Sequence, residues 1–271
     1  MKSFLFVFVL FLFGSFSAQN KIFLYELKFK PNPAKDSITT ENFILDVKDG
    51  TSMFRTVKDR KSDSLYHVTR RPSFMTTSFK DFKSIYKNHA TGEYRKYINN
   101  FTKLFSINVT ENLRWQISNE TKDIFDMKSQ KATTNYGGRS WIAWFTSDIA
   151  LQDGPYIFHG LPGLITEIYD TENNFHFTLT EIKNSEGQLY EKEKALPISW
   201  KQYEKLALDY FSDPTREINP KNAGSAFTVS RWVDEKGNEI TPNFKEMNEM
   251  EQLSIRNNNN PIELNHKINY K

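Results

Sequence analysis

The 271-residue chain contains no cysteine. That excludes thiol catalysis, thiolate metal sites and disulfide stapling. The fold must be held by core burial and hydrogen bonds alone, which suits a large domain better than a small one. Charge of one sign is also scarce: 36 Lys and Arg against 33 Asp and Glu leave a formal net charge of +3. No strong basic or acidic field follows from that balance. No Lys/Arg cluster with interleaved aromatics marks a nucleic-acid groove, so no nucleic-acid partner is expected. The P-loop lysine, the Rossmann glycine spacing, H-E-x-x-H and G-x-S-x-G are all missing. No Gly/Ser-rich linker and no clear repeat divides the chain.

Long apolar runs are missing too, except at the N-terminus. Lys2 precedes an apolar stretch from Phe4 to Phe13, followed by Gly14-Ser15-Phe16-Ser17-Ala18. A basic start, a short apolar stretch and small residues read as a signal peptide over 1–18, cut after Ala18 or Ser17. The run is short for a membrane span; an uncleaved anchor is the competing reading. No cysteine follows to carry a lipid. The expectation is an exported chain whose mature part, 19–271, is a single domain without a membrane span.

What is abundant is aromatic character, 15% of residues. Phe23, Tyr25, Leu27 and Phe29 alternate with polar residues, as on a half-buried strand, and Phe43, Leu45 and Val47 repeat the pattern. Trp141 to Thr146 is a strong strand candidate. Weaker ones are 64–69, 84–87, 94–98 and 113–117, and 226–233 reads as a late return to a strand. Thr166–Asp170, a turn at 171–174 and Phe175–Ile182 read as an antiparallel hairpin. Helices enter late. Ser199 and Gln202 form a capping-box pattern ahead of a Trp200, Tyr203, Ala207, Tyr210 stripe. A second helix is predicted from Thr241-Pro242 to the asparagine run at 257–260. The fold class predicted is β-rich α+β: a twisted antiparallel sheet, curved or half-barrel-like, with C-terminal helices packed on one side.

Between two strand candidates lies Gly160-Leu161-Pro162-Gly163-Leu164-Ile165. Leu161 to Leu164 fits a type II β-turn, with Pro at i+1 and Gly at i+2. Gly160 permits a further backbone irregularity. This bend resembles the hexapeptide of the GLPGLI family of exported bacterial proteins. Lys131-Ala132-Thr133-Thr134, Trp141 to Thr146 and Gly154-Pro155-Tyr156 resemble the family block before it. Asn260-Pro261-Ile262-Glu263-Leu264 resembles the family's C-terminal ending. Ser129 stands where relatives often place a cysteine. The resemblance implies a protein of the gram-negative envelope, in the periplasm, outer membrane or medium, often encoded with outer-membrane uptake systems. It supplies no mechanism.

Candidate chemistry is sparse, and no catalytic residue, metal or cofactor is assigned. His159 and His176, with Asp153, Glu167 or Asp170, would make an N/O metal site if folding converges them; otherwise they are a turn and a strand-surface histidine. Glu167 with Asp170, or Glu26 with Asp46, are the available carboxylate pairs for hydrolysis. Ser140 follows a tight turn but opens a strand, not a helix. Trp141, Trp144, Tyr156 and Phe158, with Tyr136 and Tyr169, are either core or the lining of an apolar ligand groove. The function expected is a non-enzymatic binding or accessory protein of the envelope. Its partner would be an outer-membrane uptake protein or a small apolar or peptide ligand. The alternative is an exported hydrolase or metal-dependent enzyme with its site near the hexapeptide.

Overall fold

The computed structural model describes residues 20–71, 78–100, 103–185, 188–191, 195–219, 221, 232 and 237–271. The predicted signal peptide 1–18 and all but one residue of the predicted strand 226–233 lie outside these. The described strands are β1 (Lys21–Phe29), β2 (Thr39–Lys48), β3 (Thr51–Thr56), β4 (Ser84–Asn88), β5 (Glu93–Asn100) and β6 (Lys103–Asn108). They continue with β7 (Gln116–Ile124), β8 (Met127–Tyr136), β9 (Arg139–Thr146), β10 (Leu164–Asp170), β11 (Phe175–Asn184) and β12 (Leu196–Pro197). The helices are α1 (Val57–Thr69), α2 (Trp200–Ser212) and α3 (Phe244–Asn257).

All 12 strands form one open sheet, ordered β12-β6-β5-β4-β3-β2-β1-β11-β10-β9-β8-β7. Only the short β12 runs parallel to its neighbour; the other pairings are antiparallel. The order has a simple origin. The chain lays down β1 to β6 as one meander and β7 to β11 as another. The two join where β1 pairs with β11 in the middle of the sheet. Register irregularities interrupt β1 at Leu24/Tyr25, β7 between Ile117 and Thr121, and β10 between Ile165 and Glu167. Each adds bend and twist.

One face carries the core. Phe23, Tyr25, Leu27 and Phe29 of β1 are buried there with Phe43, Phe54, Trp141, Phe175 and Phe177. Rings meet at packing distance, as in the stacked pair Phe43–Phe54 with centroids 4.9 Å apart. Segment 147–163 closes this face, contributing Tyr156, Ile157, Phe158 and Leu161, and Ile262 of the C-terminal stretch joins it. The two late helices sit at the C-terminal end and pack on each other through Tyr210–Glu251 and Phe211–Gln252 hydrogen bonds. No described helix is long and apolar enough to cross a membrane.

Local chemistry explains the element boundaries. Ser199 and Gln202 form the reciprocal capping box at the start of α2. In α3 the cap is Asn243, whose side chain accepts from Glu246 N, so the helix begins after Thr241-Pro242 rather than at it. The predicted strand 64–69 is instead the end of α1. Thr56 accepts from Asp59 N at 3.0 Å and starts a helical turn. Lys58, Arg60, Lys61 and Asp63 supply no alternating apolar face to hold a strand. The 113–117 candidate shifts to β7, which starts at Gln116.

Candidate functional site

The hexapeptide is a clamp. Gly163 N donates to Leu161 O at 2.7 Å, closing a three-residue turn about Pro162. The type II β-turn is therefore corrected: Gly163 has φ +155 rather than the value near +80 that such a turn needs. The glycine is required by contact. A Cβ there would lie 2.0 Å from Thr146 O. Leu161, Leu164 and Ile165 are buried, and Tyr25 from the central strand donates to Ile165 O at 2.7 Å. Gly160 N and Ile165 N bond back to Gln152 O and Asp153 O, stitching the bend to the preceding loop.

The five predicted polar candidates do not converge. Glu167 sits on the outer face of β10, where it accepts from Lys122 and meets His176 Nε2 at 2.8 Å. Burial would raise its carboxyl; the bonds from His176 and Lys122 bring it below the usual range. Asp170, three residues on, points inward, bonded to Arg139 at 3.1 Å and accepting Asn174 N and Phe175 N, each at 2.7 Å. Asp153 and His159 belong to a third place, beside the hexapeptide. The five therefore fall in three places, and the converged set that an N/O metal site needs is not formed: strand parity parts Glu167 from Asp170, and Asp153 and His159 lie on the loop before β10. Among the described residues no group of three His, Cys, Asp or Glu is placed to hold a metal ion. The other carboxylate pair is also split: Glu26 pairs with Lys28, and Asp46 with Arg55 and Arg60. Ser140 Oγ simply donates to Asn135 Oδ1.

The third place is a buried ion pair. Lys87, on the core face of β4, contacts Asp153 and donates to Gly154 O at 2.6 Å. His89 Nε2 meets the other oxygen of Asp153 at 3.0 Å. Burial alone would raise Asp153; Lys87 and His89 hold it well below the carboxylate range. Burial pushes Lys87 down, and Asp153 only partly restores it. His159 stacks on Tyr94 at 4.1 Å and bonds Ile157 O through Nδ1. Burial pushes His159 down to about 4. Of the predicted groove aromatics, Trp141, Tyr156 and Phe158 are fully buried in the core, with Trp141 and Phe158 centroids 4.7 Å apart. Trp144 lies on the opposite face under Lys122, whose Nζ is 4.4 Å from its ring centroid.

The most developed polar constellation is under the C-terminal strap, residues 259–268. Lys96, buried on β5, bonds Glu263 at 2.8 Å and Asp81 at 3.1 Å. The other oxygen of Glu263 accepts from Tyr136 at 2.9 Å and from Tyr156. Asp81 Oδ2 accepts Ile262 N at 3.3 Å. Burial would push the Lys96 ammonium down, but the two carboxylates hold it above its ordinary value. Burial likewise acts to raise Glu263, and Lys96 with the tyrosine hydroxyls brings it below the usual range. For Asp81 burial wins, and its carboxyl is raised. Arg139 completes the lock by donating to Ile262 O, Asn260 Oδ1 and Pro261 O. Beside this triad is a recess of about 50 Å³, lined by Trp200, Tyr203, His266 and Tyr270 together with Asp81 and Glu263. His266 lies flat on Trp200, centroids 4.0 Å apart. None of Lys96, Asp81, Trp200 or His266 stood out in the sequence as a site residue. The signal was there for Lys96, a charged residue between inward-facing Tyr94 and Ile98.

Residues 136–167, from the end of β8 to β10 and including the hexapeptide, match a family model described as a protein of unknown function (Porph_ging). No curated protein matches the chain in sequence. Among solved structures, PNGF-II in a C2 crystal form superposes with a TM-score of 0.52 at 15% identity, over 70% of this chain and 32% of that one. Its P21 form gives 0.51 at 16% identity, over 70% and 33%. A putative outer membrane lipoprotein-sorting protein domain from Vibrio parahaemolyticus gives 0.30 at 9% identity, over 62% of this chain and 86% of that domain. The PNGF-II likeness is one of fold alone, and its alignment takes in about a third of PNGF-II's length.

Proposed function

We propose that this chain is a non-enzymatic binding or accessory protein of the bacterial envelope, docking on an outer-membrane protein. The observation that carries this reading is the engagement of its ionisable groups. Glu263 is held by Lys96, Tyr136 and Tyr156; Asp170 by Arg139 and two backbone amides; Asp153 by Lys87 and His89. A hydrolase needs such a group poised to exchange a proton with substrate, whereas these fasten loop and strap to the sheet. An apolar ligand fares no better on the core face, since Trp141, Tyr156 and Phe158 already fill it. Recognition then falls to the surface. Recurrence of the fold as about a third of a longer chain suits a module that serves another activity. The N-terminal apolar stretch and the family resemblance support export to the periplasm or outer membrane.

The rival, an exported hydrolase or metal-dependent enzyme, has its best footing in His89, oriented by Asp153 beside His159. One experiment addresses both. Crosslinking in intact envelopes, followed by purification of the tagged chain, is expected to give a stoichiometric adduct with an outer-membrane protein. Recovery of the chain uncrosslinked, with turnover of an ester, glycan or peptide that Asp153→Asn abolishes, would overturn the proposal in favour of the rival.

A further inference from the structure

The recess under the strap carries more negative charge than its structural role needs. Among the described residues Asp81 and Glu263 share one bonded cation, Lys96, and the nearby Arg139 is paired with Asp170, which leaves one negative charge in excess when the acids are ionised. The two acids differ. Glu263 is saturated by three donors and its side chain is 2% exposed. Among the described residues Asp81 has only Lys96 and Ile262 N, and its side chain, 14% exposed, lines the recess. Trp200, Tyr203, His266 and Tyr270 give the wall aromatic surface beside Asn259, Pro261 and Ile268. Ring faces carry negative potential and attract cations lying over them. Lys96 already uses this environment, with Nζ 5.3 Å from the Trp200 ring centroid. Burial pushes His266 down, so the ring stacked on Trp200 adds no competing positive charge near neutrality.

From this arrangement we infer that the recess binds a small organic ammonium, its charge against Asp81 and its C–H surface against Trp200 and Tyr203. The excess charge disfavours an anion, and the exposed carboxylate disfavours a purely apolar guest. A hard divalent ion such as Mg²⁺ or Ca²⁺ needs about six oxygen ligands, and among the described residues no group of three His, Cys, Asp or Glu is placed to hold a metal ion. A volume of about 50 Å³ admits a compact head group, since one water needs roughly 10–15 Å³. The raised Asp81 carboxyl agrees with this: burial makes its negative charge costly, and a second cation would relieve that cost. The inference deepens the binding-protein reading and rests on it.

The test is titration of the full mature chain at pH 7.5 with methylammonium chloride, against sodium chloride at equal ionic strength. NMR follows the Trp200 indole and Tyr203 ring. Saturable shifts absent with sodium are expected, and Asp81→Asn should abolish them. Should Asp81→Asn fail to fold, Tyr203→Leu is the second variant, expected to weaken binding by about tenfold. Shifts that do not saturate, that sodium reproduces, or that survive the tested variant unchanged would overturn the inference. Nα-acetyl-lysine amide is titrated in parallel. Tighter binding than methylammonium assigns the site to a protein lysine, weaker binding to a free amine. A chain that ignores both amines yet crosslinks to an outer-membrane protein loses this inference alone.

Discussion

Gly160 and Gly163 share one hexapeptide and are glycine for different reasons. At Gly160 φ is +85 and nothing lies within 4 Å of where a Cβ would sit. Gly160→Ala should cost only the left-handed backbone penalty, about 1 kcal/mol. At Gly163 the Cβ would collide with the Thr146 carbonyl, a backbone atom that cannot step aside without breaking the β9–β10 pairing. Gly163→Ala should lose about 3 kcal/mol or fail to fold. Urea unfolding of the pair checks this; equal midpoints would refute the contact argument. Buried charge gives a second residue-scale expectation. Glu263→Gln leaves Lys96 short of a partner in the interior, and breaking such a pair costs about 3–5 kcal/mol. Glu167→Gln, beside the part-exposed Lys122 and His176, should stay within about 1 kcal/mol. Comparable losses in the two variants would show that burial is not what sets the cost. Lys87 and Lys96 were legible as anomalies: strand alternation puts each on the core face with Ile85 and Ile98. Their partners were not, because Asp153 and Glu263 are 66 and 167 residues away in sequence.

At the scale of elements, strands with aromatic alternation announced themselves and polar ones did not. β1, β2 and β11 alternate apolar core-facing residues with more polar ones, and the period-2 pattern shows it, whereas β9 is marked by its unbroken apolar run from Trp141 to Phe145. β7 is an edge strand exposed along most of its length, so its composition carries no alternation to detect. Parity would also have separated Glu167 from Asp170: three residues apart on one strand, they must face opposite sides. The strap is the stretch that sequence periodicity says least about, since apart from one 3-10 turn at Leu264–His266 it is neither helix nor strand. It is held by side chains, chiefly Arg139, whose guanidinium reaches three strap oxygens and Asp170 at once. A lysine ammonium cannot reproduce that fork. Arg139→Lys should therefore speed hydrogen exchange at strap amides such as Ile262 by at least about tenfold while leaving central β1 and β11 amides protected. Uniform acceleration across the sheet would mean that the strap unfolds only with the whole domain.

The whole molecule is two meanders zipped along β1 and β11, with no disulfide to hold them. The loop that seals the shared core carries its own titratable groups, so stability should depend on pH through them. His159 ordinarily titrates near 6.5 and is pushed down to about 4 in the fold, first by burial, with Lys87 and His89 adding and the Ile157 bond and Asp153 opposing. The unfolded chain therefore takes up this proton at higher pH than the folded one. Its contribution to stability is complete above about pH 6.5, is lost as pH falls towards 4, and does not change further below. His266, also lowered, acts in the same direction. Asp81 acts in the opposite one: its raised carboxyl binds a proton in the fold first, so falling pH above 3.8 adds stability there. Wild-type stability alone would mix these effects. His159→Asn separates them, because the amide can still donate to Ile157 O but does not titrate. Measured by urea unfolding between pH 7 and 4, the variant should lose less stability than the wild type. Parallel curves would mean that His159 titrates alike in the folded and unfolded chain. In that case the packing of Tyr94 and the hexapeptide loop around it would not be closing the core against water.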